Sequence, residues 1–105
     1  MNKPVQNKQI LFDLLLSNQQ ALLKFGVKRL GVFGSFVKGE IKEDSDIDFL
    51  IEFYREHKTL KNFIALAGYL KELSGRRIEI ITPQSLNPFI GKHITQEVEY
   101  VPLAA

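Results

Sequence analysis

Ten residues separate Gly34-Ser35 from the acid pair Asp46-Ile47-Asp48. Two acids one residue apart on a strand share a face, because alternate side chains of a strand point the same way. Held that close they repel, and buried without a partner they cost stability. A divalent cation removes that cost, and all-oxygen ligation suits Mg²⁺ or Mn²⁺. The Gly34-Ser35 pair ends a short apolar run sharply, and glycine lets backbone approach a ligand closely. A helix starting at Ser35 would turn free N–H groups and a positive dipole end toward an anion. The Ser35 hydroxyl could add a hydrogen bond, and Lys38, one turn on, could neutralise a phosphate oxygen. A phosphate-holding turn just upstream of a metal-holding acid pair is the equipment for magnesium-assisted chemistry on a nucleoside triphosphate. Either half alone is ordinary, a strand-to-helix turn or a solvated Asp-x-Asp. Their fixed short spacing, with both joined to strands, carries the signal.

The elements that must position these residues alternate along the chain. Residues 6–16 carry Ile10, Leu11, Leu14 and Leu15 at helical spacing. Asn18 can cap a second helix over 19–25, which Gly26 ends. Strands are expected near 28–33 and 46–53, the second with Ile47, Phe49 and Ile51 on its core face and the acids opposite. Residues 60–73 read as a helix with Phe63, Leu66, Ala67 and Leu70 inward and Gly75 as its stop. A third strand is expected over 77–81, a short turn or helix at 84–86 after Pro83, a last helix over 88–98, and a tail over 100–105. The fold class is therefore α/β (α+β), a small mixed β-sheet flanked by helices, with the acids at strand ends.

Composition bounds the rest. A chain of 105 residues allows a single domain over 1–105 with a modest core. At 45% hydrophobic and 25% charged residues it is globular rather than disordered. A formal charge of +2 is too small to argue for direct nucleic-acid binding. No cysteine is present, which removes disulfides, thiolate nucleophiles and Cys-ligated zinc and fits a reducing cytoplasm. The Met1-Asn2-Lys3-Pro4 start leads into an amphipathic pattern rather than a signal peptide, and no stretch is long enough to span a membrane.

The string from Gly31 to Phe53, GVFGSFVKGEIKEDSDIDFLIEF, resembles the minimal nucleotidyltransferases (MNT) of HEPN/MNT toxin–antitoxin pairs, within the DNA polymerase beta-type nucleotidyltransferase superfamily. The resemblance continues through residues 77–83 and covers nearly the whole chain. It implies a polymerase beta-like palm fold and a third acid on a neighbouring strand. Glu79 occupies that position, where Asp is the commoner residue and a carboxylate one methylene longer shifts the geometry. The resemblance further implies two Mg²⁺ ions held by Asp46, Asp48 and Glu79, with ATP as substrate. The β- and γ-phosphates would lie on the Gly34 backbone, Ser35 and Lys38. Glu79 would ligate the nucleophile-side metal or accept the hydroxyl proton.

A chain this short leaves no room for an acceptor domain, so the acceptor must come from outside. By resemblance it is a tyrosine of a cognate HEPN ribonuclease toxin, which adenylylation would neutralise, with any oligomer formed through that partner. Two alternatives accompany this reading. The chain could neutralise the toxin by binding alone, or it could modify a small molecule. Lys24, Lys28, Arg29, Lys58 and Lys61 could help dock a partner or could simply face solvent. Glu79 could equally be a surface acid paired with Arg76 or Arg77. Phe36 could cover the nucleotide or pack beneath the loop. His57 and His93 read as surface residues, neither at zinc-ligand spacing.

Overall fold

The computed structural model describes residues 3–104; Met1, Asn2 and Ala105, the extremes of the expected start and tail, lie outside the described residues. Helix α1, Lys8–Ser17, begins where the Asn7 side chain accepts the Ile10 N–H at 2.8 Å, two residues later than its apolar pattern suggests. It buries Leu11 and Leu15, one turn apart. Helix α2, Gln19–Lys24, follows at once. Asn18 does not cap it with its side chain as expected: the amide instead donates back to the Leu14 carbonyl at 2.8 Å, closing α1.

Strands β1 (Val27–Phe33), β2 (Ile47–Phe53), β3 (Ile78–Ile81) and β4 (Glu99–Tyr100) form one sheet in the order β3-β2-β1-β4. β1 pairs antiparallel with β2 and with β4, whereas β2 and β3 run parallel. The sheet is thus mixed and helix-flanked, as the sequence pattern predicts. The segment expected as a plain tail supplies β4, a two-residue strand too short to show a period. Gly31 makes room for it: a Cβ there would run into Val98 and press on the Tyr100 ring. Between strands lie helix α3 (Ser35–Lys38) and helix α4 (Leu60–Ser74), which Thr59 caps and Gly75 stops. Helix α5 (Pro88–Glu97) opens on an Asn87 cap, and 3-10 turns occupy Arg55–His57 and Pro83–Ser85.

β2 separates two apolar layers. Ile47, Phe49, Ile51 and Phe53 are buried against Leu11, Leu15, Leu66, Leu70 and Phe36. On the other face Leu50 joins Phe33 and Ile94 of α5, with Ile81, Leu86 and Val98 around them. Period-two alternation hands Asp48 to this second face, under α5. Leu66 and Leu70 of α4 are buried as predicted, with Phe63 half-buried.

One charged side chain sits inside the main layer. Arg76 is 6% exposed, and its guanidinium donates to the carbonyls of Val5 (2.8 Å), Lys42 (3.1 Å), Glu43 (3.1 Å) and Ser45 (3.0 Å). Its Cζ lies 5.1 Å from the Phe36 ring centroid, a cation–π distance. Phe36 is itself 1% exposed, so it packs beneath the loop and does not cover a ligand. Truncating Arg76 leaves buried carbonyls unsatisfied, a severe cost. Arg76→Ala should lower unfolding free energy by about 3 kcal/mol, measured by urea denaturation. A loss below about 1 kcal/mol would show that this network contributes little.

Candidate functional site

Strand register gathers the chemistry at one end of the sheet. Phe33, the last residue of β1, pairs with Asp48, and Asp48 pairs with Glu79 in the parallel ladder. Paired residues of neighbouring strands point to the same face, so Asp48 and Glu79 stand side by side beneath the turn that leaves β1. Gly34 makes that turn at φ 76°, a region that side-chain-bearing residues rarely adopt. A Cβ at Gly34 would strike the Asp48 carboxylate. Glycine is therefore needed here twice, for its backbone angle and for the room it leaves the acid.

Asp48 is half-buried, and its carboxyl is pushed up from 3.8 to about 6. Burial contributes most, followed by the Glu79 charge, a hydrogen bond shared with Glu79, and the charges of Asp46 and Glu97. A carboxyl loaded with like charges is what a bound cation would relieve, and a set of carboxylate oxygens suits a hard divalent ion. Asp48 and Glu79, side by side in the ladder, are the pair that could hold such an ion, with Asp46 near enough to add its charge.

Asp46 behaves differently from its neighbour. It lies one residue before β2, is exposed, and accepts a hydrogen bond from Arg77 Nε at 3.0 Å. Among the described residues no three acids or histidines already converge on one point as a metal cage. An exposed pair of this kind holds by less than about 1 kcal/mol, so Arg77 restrains Asp46 only weakly. Neither Arg76 nor Arg77 takes Glu79, since the first binds carbonyls and the second binds Asp46.

Ser35 opens α3 and is half-buried, with its backbone directly after Gly34. Lys38 closes the same helix and lies 3.4 Å from Glu97 Oε2. Glu97 Oε1 accepts the Gly34 N–H at 2.8 Å. Nothing in the Gly34 to Asp48 stretch points to Glu97, which is 63 residues away from Gly34. One local signal does exist: an acid at a helix C-terminus faces the negative dipole end, so it calls for a partner elsewhere. His57 and His93 are exposed, as the sequence suggests. No helix among the described residues is long and apolar enough to cross a membrane.

Comparisons with known proteins agree with this geometry. Residues 16–103 match the nucleotidyltransferase domain family. The chain is 47% identical over 78 residues to the protein adenylyltransferase MntA of Thermococcus cleftensis, covering 74% of this chain and 78% of that protein. A solved structure assigned as a minimal nucleotidyltransferase superposes with a TM-score of 0.69 at 32% identity, over 84% of this chain and 93% of that one. A toxin–antitoxin structure with AMP-PNP superposes with a TM-score of 0.62 over 80% of this chain and 72% of that one. At 16% identity that second likeness speaks to the fold.

The raised Asp48 pKa fixes a stability trend. Below about pH 4 the carboxyl is protonated whether the chain is folded or not. Between 3.8 and about 6 only the folded chain holds the proton, so this contribution declines as pH rises through that window and is gone above it. In EDTA, Asp48→Asn should therefore stabilise the chain at pH 8 by about 1–2 kcal/mol, solvent screening having reduced the full effect. The gain should vanish near pH 4. Urea denaturation of both chains at the two pH values measures it, and an equal difference at both would exclude Asp48 titration as the cause.

Proposed function

Because the chain belongs to the nucleotidyltransferase domain family, we propose that it transfers AMP from ATP to a protein hydroxyl. The acceptor in this reading is a tyrosine of a cognate HEPN ribonuclease toxin, and the chain is the antitoxin of the pair. One observation carries the proposal: the Gly34-Ser35 turn, Asp48 and Glu79 meet at one sheet end in a chain 47% identical to a protein adenylyltransferase.

The residues divide the work. The Gly34 N–H, the Ser35 hydroxyl and the Lys38 ammonium hold the β- and γ-phosphates, so that the α-phosphorus sits over the acids. Asp46 and Asp48 would hold Mg²⁺, with Glu79 beside them. When bound, Mg²⁺ neutralises phosphate charge and lowers the pKa of an attacking hydroxyl. The tyrosine oxygen attacks the α-phosphorus, a new P–O bond forms, and the bond to pyrophosphate breaks. Glu79, exposed on the edge strand β3, would take the hydroxyl proton in this scheme. Alignment and charge stabilisation supply most of the rate, because phosphoryl transfer asks little covalent chemistry of the protein.

A protein acceptor follows from the relative at 47% identity, whose name specifies protein adenylylation. The intact Gly34-Ser35 and Asp46-x-Asp48 motifs speak against neutralisation by contact alone.

Mixing the chain with its operon-encoded partner, ATP and Mg²⁺ and recording intact mass tests the proposal. The partner should gain mass in whole AMP units, with Asp46→Ala and Asp48→Ala each reducing the rate roughly a thousandfold. Glu79→Gln should slow transfer about a hundredfold while leaving ATP affinity near that of the native chain. A stable complex that silences the toxin with no mass gain would assign neutralisation to binding.

A further inference from the structure

Glu97 has no part in the transfer scheme, yet it holds two of that scheme's groups. Its carboxylate accepts the Gly34 N–H at 2.8 Å and faces Lys38 Nζ at 3.4 Å, two of the three donors given above to the triphosphate. Two features of its position are adverse. It ends α5, at the negative end of that helix. It also adds a negative charge to Asp48, which already faces Glu79 and Asp46. A carboxylate in that position persists because the N–H and the ammonium answer it, and those groups would answer a phosphate equally.

We propose that Glu97 is a positioning residue that stands in for phosphate: it holds the Gly34 turn and Lys38 in place until the triphosphate of ATP displaces it. The inference rests on the nucleotidyl-transfer reading and deepens it. Displacement requires rotation of one side chain and no movement of the helix. The α5 backbone is fixed on both sides of Glu97, by buried Ile94 before it and by Val98 and the β4 pairing after it. The Glu97 side chain is 21% exposed, so solvent can receive the released carboxylate. Glu97 therefore lowers the apparent affinity for nucleotide, because any anion entering the turn must first compete with a tethered one.

Calorimetric titration with ATP and with inorganic tripolyphosphate, in Mg²⁺ and in EDTA, tests this on the native chain, Glu97→Gln and Glu97→Ala. Glutamine keeps an acceptor for the Gly34 N–H while removing the charge, and matched urea midpoints establish that the variants are folded. Both variants should bind tripolyphosphate about two- to tenfold more tightly than the native chain. The gain should be at least as large in EDTA, where the phosphates carry their full charge. Unchanged or weaker tripolyphosphate binding by a folded variant overturns the proposal. Weakening confined to Mg²⁺ overturns it too and makes Glu97 a metal ligand. If the native chain binds ATP and neither variant gains, the role of Glu97 falls and the transfer reading stands. If none of the three chains binds either probe, the transfer reading falls and takes this inference with it.

Discussion

Arg76 is the interaction on which the positions of the other parts depend. A guanidinium carries five donors in a fixed plane and stays charged at any working pH, so burying it demands a ring of acceptors. Here the acceptors are backbone carbonyls from two distant segments, Val5 ahead of α1 and residues 42–45 ahead of β2. The second segment joins the phosphate turn to the first aspartate. A loop of that kind has no ladder of its own, and without Arg76 its carbonyls would turn toward water. Phe36 closes the arrangement from below, lending its ring face to the cation and its bulk to the core.

What surrounds Asp48 is the reverse case, a site under electrostatic tension. Asp48, Glu79, Asp46 and Glu97 crowd negative charge around one carboxyl, which responds by holding its proton to about pH 6. Such crowding costs folding energy and is tolerated only where something offsets it. Three cationic or donor groups do so in part: Arg77 takes Asp46, while Lys38 and the Gly34 N–H take Glu97. Asp46 and Glu97 are thus held in two separate pairings, which phosphate and metal would replace in the proposed reading. Each pairing is at least partly solvated, so such an exchange would cost little.

The family sets the reaction class, and the local stereochemistry shows why the motif has its form. A side chain at Gly34 would force the Asp48 carboxylate to move, although the two lie well apart in sequence, and the Gly34 backbone angle disfavours any other residue. The turn and the acid are one unit, joined by the Phe33–Asp48 pairing of antiparallel strands. Replacing either residue alters the space available to the other.

Much of this was legible in the chain alone. Periodicity places α1, α4, β1, β2 and β3 within a few residues, because one apolar face per element must find the core. The spacing of Gly34, Ser35, Asp46 and Asp48 indicates nucleotide chemistry, since those residues are local in sequence and on predictable elements. The strand β4 was not legible, because two residues show no period and its space is made by Gly31 on a distant strand. Nor was the fate of the charges. Arg76 and Arg77 are neighbours, yet one enters the core and the other reaches Asp46, a choice made by the turn between α4 and β3 and by which carbonyls lie within reach. Glu97 reads as an unremarked acid at a helix end until α5 folds over the sheet and brings it to Gly34. The sequence by itself determined the elements and the reaction class, through periodicity and short-range spacing. The tertiary structure decided which acid meets which cation, because electrostatic partners are set by distance in space rather than along the chain.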